Sequence, residues 1–372
     1  MKTKAAILRA VHQPFEIVEL DLDGPKEGEV LIKYVAAGLC HSDEHLRHGD
    51  IVPRFPIVAG HEGAGIIEEV GPGVTRLKPG DHVICSFLPV CGACRWCSSG
   101  KTNICDWGAT ILDGCMPDGS YRFHLDGEDL GAMCMIGTFA ERATVRQESL
   151  IKVADDVPLD KAVLIGCGVP TGFGSAVYAA ETEVGDTIAI YGVGGIGVNA
   201  VQGAALAGAA NVVAIDPLAN KREMAEQVGA THSCATAEEA HELIQQLTHG
   251  VGADKAIVTV GIVDAEVTTN AFHAIRKGGT VVVTGLADPT KNTIELPGAL
   301  LTLFEKRIQG SLFGSGDPYK DIPRLVNMYQ SGQLKLDELI TNTYTLDDVN
   351  KGYEDLLNGV NIRGVIIHDP NS

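Results

Sequence analysis

The chain has 372 residues, of which 45% are hydrophobic, and its formal net charge is −19 at pH 7. This length exceeds the usual size of one hydrophobic core, so we expect two domains. This excess of acidic over basic residues argues against nucleic acid and anionic membranes as partners. Since the sequence has neither a signal-peptide core nor 18 consecutive apolar residues, we expect a soluble, cytoplasmic protein without a membrane-spanning helix.

The predicted elements change character along the chain. Up to about residue 165, short β-branched runs such as "EVLIKYVAAG", "GAGIIEEVG" and "DHVICSF" are separated by turns such as "GPG" and "KPGD". This pattern is typical of antiparallel strands and a small barrel. The last 55 or so residues, with "YTLDDVNKGYEDLLNG" and "RGVIIH", predict a helix and a short strand that rejoin this first domain.

From about residue 170, predicted strands alternate with predicted helices. The strands are "DTIAIYGVG", "NVVAID", "DKAIVTV" and "TVVVTGL", and the helices between them are "GVNAVQGAALAGA", "NKREMAEQVGA" and "AEVTTNAFHAIRKGG". Such alternation predicts a parallel α/β sheet.

The stretch "GLCHSDEHL" places Cys40, Ser42 and His45 within nine positions. Taken alone it indicates little, because a cysteine near a histidine is more often a buried thiol than a metal ligand. Its meaning depends on what the rest of the chain supplies.

Four cysteines lie in "CGACRWCSSGKTNIC", a segment with few hydrophobic residues. Cys91, Cys94, Cys97 and Cys105 have the spacing C-x2-C-x2-C-x7-C, and four thiolates can close a tetrahedral zinc site. A bacterial iron–sulfur cluster is the alternative, but its three-residue last gap and its following proline are absent. With every position filled by sulfur, this zinc would be structural. In a reducing compartment, we do not expect the ten cysteines to form a disulfide framework.

The segment "YGVGGIG" follows a predicted strand and opens a predicted helix. Its G-x-G-x-x-G pattern (Gly192, Gly194 and Gly197, with Gly195 and Ile196 in the same loop) is typical of dinucleotide binding when an acidic residue ends the next strand. Asp216 is that residue. It can accept hydrogen bonds from the ribose hydroxyls and would repel a 2′-phosphate, which favours NAD over NADP. A glycine-rich helix contact without a ligand is the alternative.

Two further residues complete a possible second metal set. His61 lies in "AGHEGAG" beside Glu62, and Cys167 lies in "IGCGVPTGFG", just before the dinucleotide fold. Taken separately, they are more simply a loop histidine and a core thiol. Together with Cys40 they form a Cys₂His set, which in catalytic zinc sites leaves a fourth position open.

The sequence resembles the zinc-dependent alcohol dehydrogenases of the medium-chain dehydrogenase/reductase family. The resemblance runs from "GLCHSDEH" through "GHEGAGIIEEVGPGV", the four-cysteine segment, "GCGVPTGFGSA" and "GVGGIG" to "NIRGVII". Within the family the chain is most similar to the actinobacterial enzymes assayed with a nitrosoaniline (NDMA) acceptor, whose relatives hold NAD(H) tightly. The resemblance implies a GroES-like catalytic domain, residues 1–168 with 313–372, that carries both zinc sites. It also implies a Rossmann NAD-binding domain, residues 169–312, and a homodimer or homotetramer.

The resemblance also implies roles for individual residues, carried over by motif. Cys40, His61 and Cys167 match the catalytic zinc ligands, and Glu62 matches the acidic residue behind the metal. Ser42 matches the hydroxyl next to the substrate alcohol, and His45 the outer end of the proton relay. The remaining matches concern the cofactor (Asp216 and Lys221 on the adenosine side, Arg363 on the pyrophosphate, Thr171 beside the nicotinamide) and the substrate pocket (Phe87 and Leu286).

The sequence departs from the family pattern in two places. His41 stands where liver-type members have an arginine against the pyrophosphate, so we predict a cofactor contact with less certain charge. The stretch "CDWGATILDGC" lacks the cation that thiol-adduct formaldehyde dehydrogenases use to bind glutathione. We therefore expect a zinc- and NAD-dependent oxidoreductase that acts on alcohols or, in reverse, aldehydes. A thiol-adduct formaldehyde dehydrogenase and a non-catalytic NAD-binding protein are the alternatives.

Some residues are expected to stand outside these sites. Cys115 and Cys134 are interpreted as plain thiols. Five histidines are interpreted as surface or core residues: His12, His48, His124, His232 and His273.

Overall fold

The structure, a computed structural model, describes residues 1–287 and 293–370. Contacts within the chain divide it into two units. Unit 1 comprises Met1–Cys167 and Asp317–Ser372, and unit 2 comprises Gly168–Gly316. Unit 1 is therefore built from both ends of the chain.

The helices and strands of the described residues have the following bounds. The strands are β1 (Lys2–Leu8), β2 (Glu16–Leu22), β3 (Glu29–Gly38), β4 (Ile57–Val58), β5 (Glu62–Val70), β6 (His82–Cys85), β7 (Phe123–Leu125), β8 (Glu128–Ala132), β9 (Arg142–Arg146), β10 (Leu150–Val153), β11 (Thr187–Tyr191), β12 (Asn211–Ile215), β13 (His232–Cys234), β14 (Ala253–Val258), β15 (Ile262–Val263), β16 (Ile275–Val283), β17 (Leu286–Ala287), β18 (Arg307–Gly310), β19 (Ile340–Tyr344) and β20 (Arg363–Ile367). The α-helices are α1 (His41–His48), α2 (Arg95–Ser98), α3 (Leu159–Ala162), α4 (Gly168–Gly174), α5 (Gly197–Leu206), α6 (Ala219–Gln227), α7 (Ala237–Leu247), α8 (Ala265–Ala274), α9 (Gly298–Leu303), α10 (Pro318–Gln330) and α11 (Val349–Leu357).

Unit 1 is rich in β-structure. β1, β2, β7, β8 and β4 form a closed barrel, and a second sheet has the order β10-β6-β5-β3-β20-β19, with β9 also paired to β3. The long strand β3 is almost entirely buried, as its run of β-branched and small residues predicts. The C-terminal strand β20 pairs antiparallel with β3, so the end of the chain completes the sheet that its beginning starts.

Unit 2 contains a six-stranded sheet of order β13-β12-β11-β14-β16-β18, in which every pairing is parallel. In sequence order this is 3-2-1-4-5-6, the order of dinucleotide-binding folds. All five residues of β11 are buried, because a parallel sheet is covered on both faces. The predicted parallel α/β sheet is confirmed.

The prediction for the end of α8 was wrong. A helix was expected as far as Gly279, but α8 ends at Ala274 and β16 begins at Ile275. Gly278 has φ +69°, a left-handed conformation that no helix interior allows, and β16 gains its hydrogen bonds from β14 instead. Helix α7 was not predicted from the sequence; its N-cap Thr236 accepts from the backbone of Glu239.

No single helix among the described residues is long and apolar enough to cross a membrane. One bent pair of short helical segments, 159–166 and 168–179, has a suitable length and composition.

Candidate active site and metal centres

A buried cluster of potential metal ligands lies in unit 1. Its members are Cys40, His61, Glu62 and Cys167, whose ligand atoms all lie within 4.8 Å of one another. Cys40 lies between the end of β3 and the start of α1, and His61 directly precedes β5. β3 and β5 are neighbours with Gly38 opposite Glu62, so the sheet register brings these two positions together.

The polar atoms of this cluster fit a metal ion. Both ring nitrogens of His61 are buried and have no hydrogen-bond partner. Asp43 Oδ2 lies 3.2 Å from His61 Nδ1, out of hydrogen-bond alignment, while Asp43 Oδ1 accepts from the backbone of Gly60 at 2.9 Å. A carboxylate behind a histidine ring is the usual support of a metal-bound imidazole, and Nε2 remains as the coordinating atom.

The two cysteines of the cluster influence each other strongly. The hydrogen bond from Cys167 and the nearby His61 hold the pKa of Cys40 well below its usual value, although burial opposes this. The same hydrogen bond and burial raise the pKa of Cys167 well above its usual value. Two buried thiols therefore do not both ionise readily by themselves, whereas a divalent cation between them would stabilise both thiolates.

Glu62 is paired with Arg363, which lies 301 residues later in the chain. Both side chains are almost fully buried, and Arg363 also donates to the backbone oxygen of Leu39. Burial raises the pKa of Glu62 to about 7, although the charge of Arg363 lowers it. The ion pair places a carboxylate beside the metal ligands and a permanent cation behind that carboxylate.

The predicted relay residues lie on α1. Ser42 Oγ lies 3.7 Å from Cys40 Sγ, and His45 follows one turn later on the same face of the helix. His45 is 4% exposed, and its Nδ1 lies 2.7 Å from Asp50 Oδ2. The structure thus brings Ser42 next to the cluster and gives His45 a carboxylate partner that the sequence analysis missed.

The four cysteines of the second group also converge. Sγ of Cys91 lies 3.9 Å from Sγ of Cys97, and Sγ of Cys94 lies 4.0 Å from Sγ of Cys105. Four sulfurs at 2.3 Å from a central zinc would be about 3.8 Å apart. Backbone N–H groups donate to the sulfurs of Cys91, Cys94 and Cys105 at 3.3 to 3.4 Å, which stabilises thiolates. The arrangement fits a tetrahedral ion, and all ten cysteines are free.

The three glycines of the loop in unit 2 differ in what surrounds them. Gly192 has φ +84°, and a Cβ there would lie 2.9 Å from the Val260 backbone. A Cβ on Gly197 would lie 1.9 Å from the Gly192 carbonyl oxygen, so only glycine allows α5 to pack here. A Cβ on Gly194 would meet only Lys221 Nζ, at 3.8 Å. Gly194 therefore leaves an open approach to the backbone, with a lysine ammonium beside it.

The acidic residue of this fold is held firmly in place. Asp216 is 5% exposed, and its two carboxylate oxygens each accept a backbone N–H at 3.0 Å, from Val193 and from Leu218. Arg222, which the sequence analysis did not consider, donates to the backbone oxygens of Asp216 and Pro217. Each carboxylate oxygen keeps capacity for a further hydrogen bond, because it has two lone pairs.

The remaining predicted residues lie as follows. Thr171 is buried in α4, and its hydroxyl has no hydrogen-bond partner. The ring of His41 lies 5.1 Å from that of His45, and the ring of Phe87 contacts that of His61 edge-on at 5.8 Å. Leu286 is 40% exposed. Roles for these four residues remain predictions.

Comparison with known proteins assigns the family. Residues 26–155 match the alcohol dehydrogenase GroES-like domain, and residues 195–331 match the zinc-binding dehydrogenase model. The chain is 64% identical over 368 residues to the NDMA-dependent alcohol dehydrogenase of Amycolatopsis methanolica, with 99% of each chain covered. The chain belongs to the zinc-type alcohol dehydrogenases of the medium-chain dehydrogenase/reductase family. The predicted GroES-like and Rossmann folds are thereby confirmed.

Two further similarities support the assignment of this dehydrogenase. It is 63% identical over 368 residues to putative alcohol dehydrogenase D of Mycobacterium tuberculosis, with 99% of this chain and 100% of that one covered. Its fold matches the crystal structure of benzyl alcohol dehydrogenase from Acinetobacter calcoaceticus with a TM-score of 0.92 at 30% identity, covering 99% and 100% of the chains. The protein is an oxidoreductase of alcohols with zinc and a nicotinamide cofactor, and the non-catalytic alternative is set aside.

Proposed function

We propose that this protein is an NAD-dependent alcohol dehydrogenase with two zinc ions, which keeps its nicotinamide cofactor bound between turnovers. The proposal is carried by the buried Cys40–His61–Cys167 cluster, whose unpartnered imidazole and paired thiols fit an open catalytic zinc site. When bound, zinc acts as a Lewis acid toward the alcohol oxygen and the nicotinamide accepts the hydride.

The side chains of unit 1 would support this chemistry in distinct ways. Cys40, His61 and Cys167 would hold the metal, and the Asp43 carboxylate lies 3.2 Å from His61 Nδ1, behind the ring. Ser42 and His45 receive the proton that the alcohol loses, because α1 presents both on one face. Glu62, held by Arg363, lies behind the metal ligands. Aliphatic or aromatic alcohols, and aldehydes in reverse, are the substrate class.

The cysteines of the second cluster would bind the structural zinc. With Cys91, Cys94, Cys97 and Cys105 all as ligands, no coordination position remains for a substrate. We expect this ion to contribute folding free energy alone.

NAD rather than NADP is the proposed cofactor. A buried carboxylate at Asp216 suits the ribose hydroxyls and repels a 2′-phosphate. The loop of Gly192, Gly194, Gly195, Ile196 and Gly197 would take the pyrophosphate. The cations assigned to the cofactor lie at Lys221, beside the open backbone of Gly194, and at Arg363.

Retention of the cofactor is the finer part of the proposal. Its support is the 64% identity to an enzyme named for its dependence on NDMA, an acceptor that would reoxidise the nicotinamide in place. Exchange of the cofactor, rather than hydride transfer, would then limit turnover with added NAD. Lys221 would supply positive charge for retention, whereas Arg363 is already paired with Glu62 and His41 supplies less charge than an arginine would.

The decisive experiment is to quantify metal and nicotinamide together. Extensively dialysed protein is denatured, and zinc and released NAD(H) are measured per chain. We expect two zincs and close to one nicotinamide, together with faster alcohol oxidation with NDMA than with free NAD. Much less than one nicotinamide, with brisk NAD-dependent turnover, would identify an ordinary exchanging dehydrogenase. Formaldehyde with glutathione serves as the comparison substrate, and a preference for it would favour the thiol-adduct alternative.

We also propose a cytoplasmic homodimer or homotetramer. β18 is the edge strand of the unit 2 sheet, and Leu303 and Leu312, which flank it in sequence, are 75% and 45% exposed. An exposed edge strand with apolar neighbours favours pairing with a second copy. Native mass spectrometry would distinguish these states from a monomer.

A further inference from the structure

Two histidines on α1 share one carboxylate. Asp50 Oδ2 lies 2.7 Å from His45 Nδ1, and Asp50 Oδ1 lies 3.0 Å from His48 Nδ1. The side chains of His45 and Asp50 are 5% and 9% exposed, whereas that of His48 is 61% exposed. A buried ring is thus connected through a buried carboxylate to a ring in water.

The backbone after α1 creates this arrangement. Gly49 ends the helix with φ +93°, a left-handed conformation suited to glycine. The N–H groups of Gly49 and Ile51 both donate to the carbonyl oxygen of His45. The chain therefore folds back under the last turn, and Asp50 faces two side chains that are three residues apart on one helix face.

The charge state of Asp50 fixes the direction of its hydrogen bonds. Burial raises the pKa of this carboxyl group, but the hydrogen bonds from His45 and His48 outweigh burial and bring it below its usual value. An ionised carboxylate only accepts. Nδ1 of His45 must then carry a proton, and in the neutral ring Nε2 is the atom that accepts.

Other titratable groups also lie near this triad. The ring of His41 lies 5.1 Å from that of His45, and the ring of His12 lies 5.7 Å from that of His48. Arg47, the cation of the last helical turn, is paired with Glu44. Asp50 is the carboxylate in direct contact with the His45 ring.

We propose that Asp50 is a positioning residue of the proton relay, and that His48 tunes its effect. Asp50 holds His45 as the Nδ1–H tautomer and stabilises the imidazolium that forms when Nε2 accepts a proton, and the carboxylate stays ionised throughout, as in a serine-protease triad. His48 shares the same carboxylate through Oδ1, and its hydrogen bond draws on the charge that Asp50 offers to His45. This inference rests on the proposed function, since it assumes that His45 receives the proton lost by the alcohol.

Two substitutions test the proposal because they should act in opposite directions. Asp50→Asn removes the charge, and His48→Asn keeps a donor near the position of Nδ1 but removes the titration. The rate of alcohol oxidation is measured from pH 5 to 9 in single turnovers of the loaded enzyme. For Asp50→Asn we expect a plateau at least tenfold lower and an acid limb shifted down by about one pH unit. For His48→Asn we expect an unchanged plateau rate. Its acid limb should shift to higher pH, by less than one pH unit.

A matched control exists on the surface. His124 Nδ1 lies 2.8 Å from Asp129 Oδ1, a pair of the same chemistry with an exposed carboxylate. Asp129→Asn should leave the pH profile unchanged. The proposal would be overturned if the acid limbs of Asp50→Asn and His48→Asn shifted in the same direction. A wild-type pH profile in Asp50→Asn would also overturn it. If Asp50→Asn fails to fold, an unshifted limb in His48→Asn is sufficient to overturn it.

A second measurement does not depend on activity. ¹⁵N-histidine spectra, assigned with a His45→Gln variant, report the tautomer and titration of the His45 ring. We expect the Nδ1–H tautomer in the wild type, a loss of that preference in Asp50→Asn, and pKa shifts in the directions given above. A protein that oxidises no alcohol would refute the proposed function but leave this measurement decisive for Asp50. An active enzyme whose His45 tautomer is indifferent to Asp50 would refute the inference alone.

Discussion

Replacing Cys97 by serine should release the structural zinc and open the segment from Cys91 to Cys105, while the rest of the chain stays folded. This segment holds only short helical turns, and only Thr102 and Cys105 in it are buried. It therefore has almost no hydrophobic core of its own. We expect the metal to be its main source of stability.

The magnitude follows from this composition. A fully buried aliphatic side chain contributes about 1.5–3 kcal/mol, whereas a structural zinc contributes about 10–16 kcal/mol. A loss of only about 3 kcal/mol would raise the open population of the segment roughly a hundredfold. Trypsin cleavage at Arg95 or Lys101 should accelerate by at least that factor.

The chain provides its own optical probe for this experiment. Its two tryptophans, Trp96 and Trp107, lie in or next to the segment, and both are half-buried. Arg95 and Arg146 lie over their rings at 5.3 and 5.1 Å. The variant should show red-shifted fluorescence and one zinc fewer. Ser98→Ala is the matched control, and a Cys97→Ser protein with unchanged zinc content, fluorescence and trypsin resistance would refute the reasoning.

Three further predictions have defined outcomes. Cys40→Ser should remove the other zinc and reduce the rate of alcohol oxidation more than a hundredfold, with little change in Tm. The control Cys115→Ser, which lies outside both clusters, should retain both metals. Near-normal activity of Cys40→Ser would disprove the ligand assignment. Gly197→Ala should lower the free energy of unfolding by about 1–3 kcal/mol or more, because its Cβ would meet a carbonyl oxygen at 1.9 Å. Gly194→Ala should fold normally but release NAD(H) on dialysis. Equal Tm values for the two variants would contradict this prediction. Burial lowers the pKa of His368 to about 4, so at low pH the unfolded state binds a proton that the folded state does not. Stability is therefore lost as pH falls from about 6.5 through 4, by about 3 kcal/mol. Denaturant melts of His368→Gln should lack this loss, and a loss that persists in the variant would assign it to other groups.

The sequence was sufficient for the features that local spacing determines. The four-cysteine segment and the glycine loop each lie within one short stretch, so their geometry follows from the chain itself. The strand β3 was predicted at its observed bounds because its valine, isoleucine and tyrosine residues favour a strand. The end of α8 was missed because the strand that replaces it depends on long-range pairing, of Ile275 with Ala253 and of Thr280 to Val283 with the rest of β14.

Long-range contacts could not be obtained in this way. Nothing near Glu62 in the sequence indicates a partner 301 residues away, and only the pairing of β20 with β3 brings Arg363 to it. Asp50 was missed for a different reason. It is only five residues from His45, but a single sequence does not reveal that Gly49 turns the chain back. His48, interpreted as an ordinary surface or core residue, is exposed but shares that carboxylate.

The split of unit 1 between the two ends of the chain has a consequence for its biosynthesis. A ribosome that adds about 5–20 residues per second needs roughly 10–40 seconds to proceed from Cys167 to β20. During that interval unit 2, which is continuous, can fold, while β3 still lacks its C-terminal neighbour and Glu62 lacks its counter-ion. Cys40, His61 and Cys167 are therefore all synthesised well before the arginine that neutralises their acidic neighbour. The nascent chain would reach full affinity for its catalytic metal only after β20 has paired with β3, and metal loading becomes a late event of maturation rather than the nucleus of folding.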